Sequence, residues 1–187
     1  DTYDDELGGA PERRAQETIG RAREWLAANS GRRPFFVWVH LFEPHAPYLS
    51  GSYASEVTAV DRELDHLFST LREQKIWDDL VLGVTSDHGE SLGEHGEKTH
   101  GFFVYDSTLR IPWMVKAPGR TALRFPHQVR IVDVMPTMTA LASSAVIAPV
   151  DIEGVDLDPW MQRDGSPALE AYADTLLPRD QFQWSEL

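Results

Sequence analysis

The sequence has no cysteine, which removes disulfides, thiolate zinc sites and a cysteine nucleophile together. It has no long apolar run either. The longest, Phe35 to Phe42, is interrupted at His40 and falls far short of the ~20 residues that a membrane-spanning helix needs. Positive charge is scarce: 17 Lys and Arg stand against 30 Asp and Glu, a net charge of −13. Such a surface repels phosphate backbones and argues against nucleic acid as a partner. A small anionic substrate would need local positive charge or a metal ion. No methionine opens the chain, and Asp1-Thr2-Tyr3-Asp4-Asp5-Glu6 is the reverse of a signal peptide's basic start. We therefore expect an internal piece of a longer protein, whose compartment stays open. There is no internal repeat, and oligomeric state leaves no mark in the sequence.

What is present suits one compact domain over residues 1–187, with 1–10 as a flexible lead-in. Pro11 suits the first turn of a helix, and Ile19, Ala22, Trp25 and Leu26 share one face at helical spacing. Asn29 to Arg33 closes that helix. The run from Pro34 to His40 reads as a strand buried on both faces, and Glu43-Pro44-His45-Ala46-Pro47-Tyr48 as a loop, because its prolines forbid helix and interior strand. A second amphipathic helix spans roughly 54–74, with Val57, Val60, Leu64, Leu67, Phe68 and Leu71 as its buried stripe. Strands are expected over 80–85, 111–115 and 168–175, and a helix after Asp133, which can cap it. Residues 144–167 form a connection. Helices alternating with buried strands predict an α/β fold, a sandwich around a largely parallel sheet.

In parallel sheets, ligands sit beyond the carboxyl ends of the strands. Two expected strands deliver polar clusters there. One brings His40 and His45, the other Asp87 and His88, followed by Glu90, Glu94, His95, Lys98 and His100. Asp87-His88-Gly89 is the sharpest motif: a carboxylate and an imidazole can share a divalent cation if the chain turns at once, which Gly89 eases. The plainer reading is a capping aspartate beside a surface histidine. His45, held between Pro44 and Pro47, could donate to an anionic oxygen or a leaving group. Lys98 and His100 could each neutralise an anionic ester, or simply belong to a solvated loop. His95 reads as a surface residue, Glu90 and Glu94 as solvated carboxylates, with a role behind the metal ligands open to all three.

Several stretches in one order resemble the sulfatase family of the alkaline-phosphatase-like superfamily, in the C-terminal portion of its catalytic domain. They are 34–40, Glu43 to Tyr48, Val60 to Leu64, Thr85 to Gly96, Lys98-Thr99-His100-Gly101, Tyr105 to Pro112 and Val132 to Thr137, with Tyr172 to Arg179 a looser fit. The resemblance implies a three-layer α/β sandwich, incomplete at its N-terminal side. It also implies a metal-dependent hydrolase of sulfate esters. Asp87 and His88 match the family's later pair of metal ligands, and His45 its ester-contacting histidine. Lys98 or His100 matches its lysine. The implied cofactor is one divalent ion, calcium first, although an imidazole ligand moves the balance toward manganese or zinc. The family's formylglycine nucleophile and earlier ligands match nothing here, so the chain is expected to be inactive alone. The Asp-His form also keeps open a phosphodiesterase, a phosphonate hydrolase or a phosphoethanolamine-type transferase. A non-catalytic binding domain is the third reading.

Overall fold

Glu43 starts the first unit's architecture from a distance. Helix α1 spans Ala15–Ala28, and the residue before it, Arg14, is extended and offers no side-chain cap. The first N–H groups of a helix need acceptors. The buried Glu43 carboxylate, 28 residues on, takes the N–H of Ala15 and pairs with Arg14 Nη1 at 2.8 Å. A negative group there also suits the positive end of the helix dipole. Asn29 closes α1, its Nδ2 donating to the Trp25 carbonyl at 2.9 Å.

This computed structural model describes residues 4, 12–142, 152–163, 165 and 168–184. Apart from Asp4, the expected lead-in lies outside them, as does Pro11. The chain forms two compact units, Asp1–Asp78 and Asp79–Leu187.

In the first unit, α2 spans Tyr53–Glu73. Ser52 and Ser55 cap it reciprocally: Ser55 N donates to Ser52 Oγ at 3.2 Å and Ser52 N to Ser55 Oγ at 2.9 Å. Leu67 and Leu71 are buried with Ile19 and Leu26 of α1, and Arg23 Nε donates to Thr70 Oγ1 at 2.8 Å to tie the two helices. The stripe differs from expectation at its start. Val57 is exposed, and Glu56 beside it is only 1% exposed. Glu56 Oε1 accepts from Ser50 N and Ser50 Oγ, both at 2.7 Å, so the carboxylate turns inward to hold the preceding loop. The expected strand over 34–40 pairs with no strand among the described residues. Its exposure alternates: Phe36 is 83% and Trp38 75% exposed, while Phe35, Val37 and Val39 are half-buried. That is the period of extended chain with one face covered.

In the second unit, β1 (Leu82–Thr85) pairs with β2 (Trp113–Lys116), Leu82 opposite Lys116 and Thr85 opposite Trp113. The pair is antiparallel, and it is the whole sheet among the described residues. The predicted largely parallel sheet is therefore not what these residues form. Apolar runs announce strands but not their directions, and a parallel pair also needs partners that the described residues do not supply. The short helix α3 (Asp106–Leu109) precedes β2. A 3₁₀ turn, Ile131–Asp133, leads into α4 (Val134–Ala142), which lies against β1 with Met138 over Gly83. Asp133, fully buried, joins segments before and after it rather than capping α4. It accepts from Arg130 N at 3.0 Å, Arg130 Nη2 at 2.8 Å and Val155 N at 2.9 Å. Thr137 Oγ1 accepts from Leu157 N at 3.0 Å, pinning the same segment. The connection after α4 contains a short helix, α5 (Asp158–Met161). Residues 168–175 form no strand; they run as irregular chain into α6 (Leu177–Phe182).

Candidate active site

The second unit gathers three of the predicted residues. β1 ends at Thr85, and two residues later Asp87 and His88 emerge. Asp87 Oδ1 accepts from His88 N at 3.0 Å. His88 Nδ1 lies 2.8 Å from the Gly89 carbonyl. A carbonyl only accepts, so Nδ1 is the donor, and in the neutral ring Nε2 keeps its lone pair. That Nε2 sits 3.7 Å from Asp87 Oδ2, and both side chains are open to solvent, at 41% and 80%. Gly89 serves closeness rather than turning. Its φ is not positive; its N–H donates to Thr108 O at 2.8 Å, and a Cβ there would stand 2.4 Å from Ser107 O. Only glycine lets α3 pack directly beneath the Asp87-His88 pair.

His100 joins this group. Its ring lies 4.1 Å from that of His88, tilted by 32°. Its Nδ1 lies 3.2 Å from Glu90 Oε1, and the Glu90 side chain is almost wholly buried. A buried carboxylate holding an imidazole's far nitrogen fixes which nitrogen faces outward. Glu90 therefore differs from the solvated carboxylate expected of it. Lys98 is exposed, with no hydrogen bond or ion pair among the described residues.

The loop between has its own scaffold. Buried Ser91 donates to Glu97 O at 2.9 Å. Glu97, also buried, accepts from Phe102 N at 3.0 Å and Phe103 N at 3.2 Å. The Glu94 carboxyl is held below its ordinary range by its own backbone N–H and that of Leu92. His95 stacks on Tyr105 at 4.3 Å, away from the His88–His100 pair in its contacts.

His45 belongs to the first unit. Its ring packs on Phe42 at 4.5 Å, and its Nδ1 donates to Ala46 O at 2.6 Å. The loop bearing it has cis bonds before Pro44 and Pro47. Glu43 fastens one end to α1 and Glu56 the other to α2. The Glu56 carboxyl is held below its ordinary range, first by the Ser50 backbone N–H, against the opposing effect of burial.

Whether Asp87 and His88 fit a divalent ion is decided by their donor atoms. A neutral imidazole whose other nitrogen donates to a carbonyl, beside an exposed carboxylate, is a sound pair of ligands. It is also only a pair. Among the described residues no group of three or more His, Asp or Glu is arranged to hold a metal, whereas zinc takes four ligands and calcium six to eight.

A family model described as Sulfatase matches residues 3–144. The chain belongs to the sulfatase family. It is 38% identical over 71 residues to iduronate 2-sulfatase of Mus musculus, a match covering 38% of this chain and 13% of that enzyme. Two solved structures share its fold. One is Ps i-CgsB in complex with k-i-k-neocarrahexaose, with a TM-score of 0.66 at 22% identity over 79% of this chain and 38% of that one. The other is a phosphonate monoester hydrolase from Silicibacter pomeroyi, with a TM-score of 0.54 at 23% identity over 95% and 38%. This sulfatase-family chain thus spans a minor part of the length of each relative, and its fold is alkaline-phosphatase-like. The three polar positions 87, 88 and 100 lie within the matched sulfatase region. The sequence leaves Glu43 and Glu97 unassigned and Glu90 as a solvated carboxylate with a supporting role open; all three prove structural or supporting. Nothing in spacing marks them, since each is defined by a partner elsewhere in the chain.

Proposed function

We propose that this chain is the C-terminal part of a metal-dependent sulfatase that hydrolyses sulfate esters. Its two units would form a single catalytic domain with sequence supplied from outside residues 1–187, and alone the chain would not turn over. One observation carries the reading: His88 turns Nδ1 to the Gly89 carbonyl and so sets Nε2, the nitrogen that bears the lone pair in the neutral ring, beside the exposed Asp87 carboxylate. Neutral imidazole and ionised carboxylate are the forms in which those side chains hold a cation.

Asp87 and His88 would hold the divalent ion, which when bound offsets the charge of an anionic ester. Calcium is the ion the family implies, with manganese or zinc the alternatives that an imidazole ligand favours. His100, oriented by Glu90, would hydrogen-bond an ester oxygen through its outward nitrogen. Lys98 is the rival for that place and would act as a solvated point charge. His45, with Nδ1 bound to Ala46 O, would serve the ester or its leaving group. The nucleophile, formylglycine in this family, lies outside the residues matched here.

The test has two arms. In the purified 187-residue chain, Mn²⁺ is expected to broaden the NMR signals of Asp87 and His88 weakly, and Asp87→Ala to abolish the effect. The same chain should leave 4-nitrophenyl sulfate intact. Robust hydrolysis would end the claim of incompleteness, and indifference of positions 87 and 88 to Mn²⁺ would end the claim of ligation. A second reading is a phosphonate hydrolase, a phosphodiesterase or a phosphoethanolamine-type transferase. The Asp87-His88 form favours it. A parent nucleophile of Ser or Thr outside a Cys-x-Pro-x-Arg motif would mark that chemistry.

A further inference from the structure

The loop from Glu97 to Phe103 carries both Lys98 and His100, and it is held from two sides. Inside, the Glu97 carboxylate gathers the N–H groups of Phe102 and Phe103. Outside, the last described segment of the chain closes over it. Thr175 Oγ1 donates to the Gly101 carbonyl. Leu177 lies so close to Gly101 that a Cβ there would meet Leu177 Cδ2 at 2.9 Å, and Gly101 itself holds φ at +100°. Phe102 then joins a cluster with two rings of the same segment, 4.9 Å from Phe182 and 6.4 Å from Trp184. Three kinds of contact, from positions 74 to 82 residues away in sequence, converge on two residues next to His100.

We propose that the segment from Thr175 to Trp184 is a positioning strap that sets His100 against His88. A loop of this kind, with no regular backbone pairing of its own, has little to order it by itself. His100 Nδ1 is held by contacts of moderate length, 3.2 Å to Glu90 Oε1 and 3.5 Å to Thr99 Oγ1. The contact of its ring with His88, at 4.1 Å between centroids, requires the backbone at 100–102 to stay in one place. The strap supplies that from the side opposite Glu97, with one hydrogen bond to a carbonyl and an apolar seat for Phe102 that water cannot replace. Thr175 and Leu177 are thus positioning residues, and neither touches the reacting groups. The inference rests on the sulfatase reading for what His100 does, and on packing alone for what the strap does.

The strap is tested in the full 187-residue chain with Thr175→Val and Leu177→Ala. Amide hydrogen exchange is read by mass spectrometry, and the ring-proton shifts of His88 and His100 by NMR at one fixed pH. Exchange over 97–103 should quicken about tenfold or more as local opening becomes easier, and 131–137, pinned by Asp133, should keep its rate. The mutual ring-current shifts of His88 and His100 should shrink, and Thr175→Ser should restore them. Unchanged exchange over 97–103, unchanged ring shifts, or equal quickening at 131–137 would each overturn the strap. If Leu177→Ala fails to fold, Phe182→Leu decides in the same direction with a smaller change. None of these readouts needs metal or ester. A loop that loosens while turnover of the longer parent enzyme stays constant would sink the role of His100 and leave the strap standing.

Discussion

Asp133 and Asp87 both lie in the second unit and meet opposite fates. Asp133 is fully buried and saturated: Arg130 supplies its backbone N–H and guanidinium, and Val155 a further N–H. Asp87 is 80% exposed and accepts one bond, from the next residue. A carboxylate with every lone pair engaged cannot accept a cation or a substrate. One with most of its oxygen capacity facing water can. The two regions teach that in this fold the buried acids build, while Asp87 keeps its oxygens open to solvent. The same division holds in the first unit, where Glu43 and Glu56 are buried struts of the loop that carries His45.

The largest effect that separates the two regions is on stability. Asp133→Ala leaves Arg130 and the Val155 N–H without their partner, and urea denaturation should register a loss of about 3–5 kcal/mol. Asp87→Ala should cost within about 0.5 kcal/mol, and comparable losses would erase the contrast. Next in size, Thr137→Val removes the buried acceptor of Leu157 N, and the same measurement should show a loss of about 1–3 kcal/mol.

Acid should produce a smaller effect, distributed over both units. Burial pushes the Asp133 carboxyl up, but the Arg130 guanidinium and two backbone N–H groups more than reverse this and bring it below its ordinary range. Glu56 is lowered too, chiefly by the Ser50 backbone N–H. A carboxyl that ionises more readily folded than unfolded stabilises fully above its unfolded value, and that gain vanishes as pH falls through the folded one. Melting temperature should therefore drop below the ordinary carboxylate range, and less steeply in Glu56→Gln/Asp133→Asn. Equal slopes would remove these two acids from the account. The smallest change in stability is expected for His88→Ala, within about 0.5 kcal/mol, although the response of positions 87 and 88 to Mn²⁺ should disappear.

The helices were legible because their apolar residues recur on one face over several turns, and β1 and β2 because short apolar runs stop at turn residues. Direction was not: nothing in Leu82–Thr85 or Trp113–Lys116 distinguishes an antiparallel partner from a parallel one. The run at 34–40 has the composition of a strand, yet a strand exists only with a neighbour to bond. At the site, Asp87-His88 was visible as a motif, and His100 and Lys98 as an open choice between two residues. Gly89 was read as a turn glycine and proved to be a contact glycine, since the opposing carbonyl of Ser107 lies 18 residues downstream. Glu90 was hidden for a similar reason. Its partner is a ring ten residues later, and charge alone suggests solvent.

The alternation at Phe36 and Trp38 carries a practical consequence for anyone handling this chain. Large rings shown to water along an extended segment invite self-association, and the −13 charge is what keeps copies apart. Added salt weakens that repulsion, whose reach falls from ~10 Å at 0.1 M to ~3 Å at 1 M, and leaves the rings as sticky as before. Light scattering should therefore rise with ionic strength, and Trp38→Ser should delay the onset.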